Sequence, residues 1–72
     1  MTYNLERIAK NIKLLRFKRK WKFSYIEKNT GIDEERLRKF ELAKAVPKPK
    51  ELYELSRLYE VTIDDLVYKD LE

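Results

Sequence analysis

Phe23-Ser24-Tyr25-Ile26-Glu27-Lys28-Asn29-Thr30-Gly31-Ile32-Asp33-Glu34-Glu35-Arg36-Leu37-Arg38-Lys39-Phe40-Glu41-Leu42 reads as two short helices about a sharp turn. The spacing predicts a helix over Phe23–Asn29 with Ile26 inward, and a second over Asp33–Leu42 with Leu37 and Phe40 inward. Between them Gly31 is the chain's only glycine, and it reaches the left-handed backbone that ends a helix without the steric cost other residues bear. Asp33 is a good N-cap, and Glu34 and Glu35 sit where the helix dipole favours negative charge.

Outward from that pair the period stays helical, with no convincing period-two stretch. Leu5, Ile8, Ile12, Leu15 and Arg19 follow the three-four spacing of one helical face, predicting a helix from roughly Asn4 to Lys20 with Asn4 as its cap. Arg7, not Glu, stands three residues after Asn4, so no capping box forms. Downstream, Val46-Pro47-Lys48-Pro49 is a loop, and Pro49 suits the first turn of a helix running to about Tyr59 with an apolar stripe of Leu52, Leu55, Leu58 and Tyr59. Thr62 caps a last short helix with Asp65 at its third position and Leu66 and Val67 inward. Five short helices with brief connections predict a compact all-α five-helix bundle. One domain is expected over 1–72, its core over about 5–67.

Composition narrows the chemistry. Cysteine and histidine are absent, which excludes a disulfide framework, a zinc finger, a thiol nucleophile and a Ser-His pair. With one glycine, neither a P-loop nor a dinucleotide-binding turn can be built. No membrane span and no signal-peptide pattern is read, and no cofactor is expected. At 72 residues the chain buries only about 60% of the surface its unfolded form exposes, so its core is limited. These features predict a small, soluble, cytoplasmic binding module rather than an enzyme.

The net charge of +4 is unevenly spread. Residues 1–22 carry eight basic side chains against one acid, whereas residues 46–72 carry four against seven. A basic N-terminal third attracts a polyanion more strongly than the net charge suggests, although a solvated helix face would look the same.

Several spacings occur in one register: Ile12-x-x-Leu15-Arg16, Ile26-x-x-x-x-Gly31-Ile32, Leu37-x-x-Phe40-Glu41, Pro47, Leu52-x-x-Leu55 and Val61-Thr62-Ile63-Asp64-Asp65-Leu66. Over about Leu5 to Val67 the chain resembles the lambda-repressor-like family of phage repressors, Cro proteins and Xre-type regulators. The resemblance implies that helices two and three form a helix-turn-helix, with the third lying in the DNA major groove. It places Asp33, Glu34, Glu35 and Lys39 at base edges, and Lys20, Lys22, Phe23, Arg36, Arg38, Lys44 and Lys48 at phosphates. It also pairs Arg16 with Glu41, tying the first helix to the third. The implied partner is double-stranded DNA, bound by a homodimer because one recognition helix covers one half-site.

Departures from the family pattern leave a second reading open. Three acids open the recognition helix, where they either accept from cytosine amino groups or serve the helix dipole alone. Phe23 stands where the family often has Gln, and Glu27 where it has a small residue. Ala43 stands where Gly commonly ends the third helix, so that end is expected to differ, since a left-handed Ala costs about 1–2 kcal/mol. Together these allow a protein-interaction module, an antirepressor or accessory subunit with weak or no DNA binding. Tyr3, Leu14, Phe17 and Tyr68 are candidates for a partner surface. Trp21, between lysines, suits base stacking, but its register matches a buried Leu of the family and predicts core packing.

Overall fold

A computed structural model describes residues 4–71. Its elements are α1 (Leu5–Arg19), α2 (Phe23–Thr30), α3 (Glu34–Glu41), α4 (Pro49–Tyr59) and α5 (Ile63–Tyr68), with no strand among the described residues. The local signals account for each start. Asn4 Oδ1 accepts from the Arg7 amide at 3.1 Å, Asp33 from the Glu35 amide at 3.1 Å, and Thr62 from the Asp65 amide at 3.0 Å. Pro49 opens α4, and the Glu51 carboxylate reaches back to the Lys48 amide at 2.7 Å, the reciprocal half of a capping box.

The helix ends are less ordinary. Gly31 closes α2 at φ 77°, as its lack of a Cβ allows. Lys20, Ala43 and Glu60 adopt the same left-handed conformation after α1, α3 and α4, at φ 58°, 57° and 59°. The expectation that α3 would end differently for want of glycine is therefore corrected. Ala43 is held there because its amide donates to the Phe40 carbonyl at 3.2 Å and the next amide, of Lys44, to the Lys39 carbonyl at 2.9 Å. After α1 and α4, the residues following the left-handed turn, Trp21 and Val61, pack against the core and anchor it.

One apolar cluster joins all five helices, running from Ile8 and Ile12 through Ile26, Leu37 and Phe40 to Leu55, Tyr59, Leu66 and Val67. α1 packs on α3 and α5, α2 on α3 and α4, and α4 on α5. Pro47 is fully buried, which pins the α3–α4 loop onto the bundle. Asn11 is buried among these apolar groups, and its Nδ2 donates to the carbonyls of Leu66 and Lys69 at 2.9 and 2.7 Å while its Oδ1 accepts from Leu71. A buried amide so satisfied fastens the end of the chain to α1. No helix among the described residues is long and apolar enough to cross a membrane.

Candidate nucleic-acid interface

α2 and α3 pack against each other across Gly31-Ile32-Asp33, and two Arg–Glu clamps fix α3 in the bundle. At the far end of α3, Arg16 Nε donates to Glu41 Oε2 at 2.7 Å and Nη2 to Oε1 at 2.9 Å, with both side chains largely buried. This two-point pairing holds α1 to α3, and it raises the Arg16 pKa above its usual range. Near the start of α3, Arg36 makes the same fork to Glu51 on α4, at 2.5 and 2.8 Å. That guanidinium holds the Glu51 carboxyl below its ordinary 4.5, assisted by the Lys48 amide.

The resemblance places Arg36 at a phosphate, and in the fold its guanidinium is paired within the bundle. Its Nε and Nη2 are both engaged by Glu51, Nη2 also reaches the Val46 carbonyl, and the guanidinium lies 5.0 Å from the Phe40 ring centre. Arg36 thus braces α3 against α4 while its side chain stays partly exposed. Glu51 was not anticipated as its partner. The available signal was a Glu three residues after Lys48 at a proline-opened helix start, which announces a cap but not a tertiary tie.

Phe23 also takes a different part. Its ring is half-buried against the core, with the guanidinium groups of Arg16 and Arg38 at 4.3 and 5.3 Å from the ring centroid. The side chain therefore positions Arg38 through a cation–π contact and has no polar atom of its own to offer a phosphate. Lys22, the residue before α2, leaves that helix without a side-chain cap.

At the acidic tip one carboxylate bonds locally. Asp33 caps its own helix, and Glu27 Oε1 accepts from the Glu34 amide at 3.2 Å. A glutamate in place of a small residue thus satisfies an otherwise unpaired amide at the start of α3. Glu35 and Lys39 are exposed and Glu34 is half-buried. Around them Lys20, Lys22, Lys39, Lys44 and Lys48 are exposed, and none forms an ion pair with a described residue.

Of the apolar surface candidates, Phe17 and Tyr68 are exposed, Leu14 is half-buried rather than free, and Tyr3 lies outside the described residues. Trp21 is half-buried on the core cluster, stacked on Tyr59 with ring centroids 5.4 Å apart. No protein-family model, curated protein or solved structure matches the chain.

Proposed function

We propose that this chain is a sequence-specific DNA-binding regulator of the phage repressor/Cro (Xre) type, with α2 and α3 as the helix-turn-helix. The observation that carries the reading is the set of exposed lysines, Lys20, Lys22, Lys39, Lys44 and Lys48, none in an ion pair with a described residue, around an α3 braced by two Arg–Glu forks. Exposed cations not held in ion pairs suit a phosphate backbone, and a braced α3 keeps its register along a groove. Arg38 and Lys39 extend from the exposed side of α3, while Glu34 and Glu35 are the residues at its start available to cytosine amino groups. A homodimer would present two such helices to half-sites about one helical turn apart.

The test is a duplex titration at several salt concentrations. Each phosphate neutralised contributes a slope of about −0.9 in log K against log salt, so Lys20→Ala with Lys22→Ala flattens the dependence by roughly one to two units. Glu35→Gln shifts which sequence is preferred if that carboxylate reads a base.

One observation favours a second reading, a protein-interaction module. Asp33, the first of the three acids there, already caps α3, and Glu27 of α2 accepts from the Glu34 amide. On this reading no duplex binds at low salt, and Glu35→Gln changes nothing in a duplex titration.

A further inference from the structure

We propose that a second surface, the shallow concavity lined by Lys20, Trp21, Lys22, Ser24, Tyr25 and Lys28, binds a single-stranded nucleic-acid segment through an unstacked base and its flanking phosphates. Ser24, Tyr25 and Lys28 share one face of α2, at three- and four-residue spacing, and helical geometry puts them opposite Phe23 and Glu27, which turn toward α3. The concavity is therefore distinct from the exposed face of α3, although Lys20 and Lys22 border both.

Its floor is a rigid aromatic layer. Trp21 stacks on Tyr59 at an interplanar angle of 25°, and Tyr59 is only 1% exposed, so the indole is backed by an immobile ring. Tyr25 leans against Trp21 with centroids 4.8 Å apart and keeps 43% of its surface in solvent. Three lysines surround these rings, no acid lines the concavity, and none of the three makes an ion pair with a described residue. The Ser24 hydroxyl likewise has no hydrogen-bond partner among the described residues.

Aromatic platforms ringed by cations hold single strands by stacking bases while the lysines take the backbone. A duplex keeps its base faces turned to one another and leaves such a platform empty. An acidic peptide would satisfy the lysines and leave the rings unused. The combination of exposed ring surface and unmatched positive charge thus selects a single strand.

Trp21 is the only tryptophan, so its emission reports on this surface directly. The intact chain is titrated with a thymidine oligonucleotide of about eight nucleotides, within the usual span of such sites. Parallel titrations use a duplex, a nucleoside diphosphate and polyglutamate. The expected result is quenching by the oligonucleotide, with Tyr25→Ala and Lys28→Glu each weakening it about tenfold and leaving duplex affinity unchanged. Both residues are exposed, and a melting curve checks that each variant folds. Absence of quenching, unaltered affinity in both variants, or equally tight binding of polyglutamate or the free diphosphate overturns the proposal. Duplex binding without single-strand binding defeats this inference alone. Single-strand binding without duplex binding defeats only the proposed regulator.

Discussion

Lys20, Ala43 and Glu60 hold left-handed backbone without being glycine, and each does so at the end of a helix. Such a residue costs about 1–2 kcal/mol, whereas glycine adds roughly 0.5–1 kcal/mol of unfolded-state entropy. The difference favours glycine, so Ala43→Gly is expected to stabilise the fold by about 0.5–1 kcal/mol in chemical denaturation. Ala45→Gly serves as the control. Ala45 packs against the core and has no positive φ, so its replacement is expected to destabilise. Tyr59 carries a second residue-scale liability, a buried hydroxyl with no hydrogen-bond partner among the described residues. Burial, with Glu41 nearby, pushes its pKa above the usual tyrosine value. Tyr59→Phe removes the stranded oxygen and keeps the ring under Trp21, so the variant is expected to melt at or above the parent temperature. A clear fall in melting temperature would show that the hydroxyl contributes to stability.

Two forks set the position of α3 within the bundle, and their removal tests that claim at the scale of helices. Arg16→Ala strands the largely buried Glu41 carboxylate and is expected to cost about 2 kcal/mol. Lys13→Ala, on the exposed side of the same helix, is expected to stay within about 0.5 kcal/mol. Equal melting temperatures would remove the case for burial of the pair. The Arg36–Glu51 fork has a pH signature. The folded Glu51 carboxyl lies below 4.5 because Arg36, then the Lys48 amide, favours its charged form. Folded protein therefore binds that proton less readily than unfolded protein. Its contribution is complete above 4.5 and fades as pH falls through the depressed value. Melting temperatures of the parent and Glu51→Gln are thus expected to differ most near neutrality and converge as pH falls through the depressed value. A gap that holds constant across that range would place the carboxylate's effect elsewhere.

Across the whole molecule, one amide reinforces the closure that α5 packing begins. Asn11 on α1 bonds the carbonyls of Leu66 and Lys69 and the amide of Leu71, so it spans nearly the full length of the chain. Asn11→Ala leaves buried carbonyls without donors, at a cost of about 1–3 kcal/mol. Hydrogen exchange is expected to quicken first in α5, whose amides would open before those of α1 and α4. Uniform loss of protection would mean that the last helix unfolds only with the rest. Charge is likewise organised over the whole chain. The basic N-terminal third supplies the lysines that flank α2, while the acidic C-terminal third lies on α4, α5 and the tail. Lys20 and Lys22 consequently remain without acidic partners among the described residues.

Helix number, order and starts were legible in the chain because they rest on local chemistry. Periodicity selects the inward side chains Ile8, Ile12, Leu37 and Leu55, and Asn4, Asp33, Pro49 and Thr62 mark starts through bonds spanning a few residues. The meeting of Arg16 with Glu41 was legible only through family resemblance, since nothing local links residues 25 apart. Arg36 shows where local reading fails. Nothing local marks its partner, and only the approach of α4 brings Glu51 to it. Glu27 on the Glu34 amide, Asn11 on the chain end and the Trp21–Tyr59 stack arise in the same way. Each joins groups brought together by helix packing, and hydrogen bonds or ring contacts between distant elements leave no period in the sequence. Ala43 adds the converse case, a local steric preference overridden because carbonyls at the end of α3 require partners that the left-handed turn supplies.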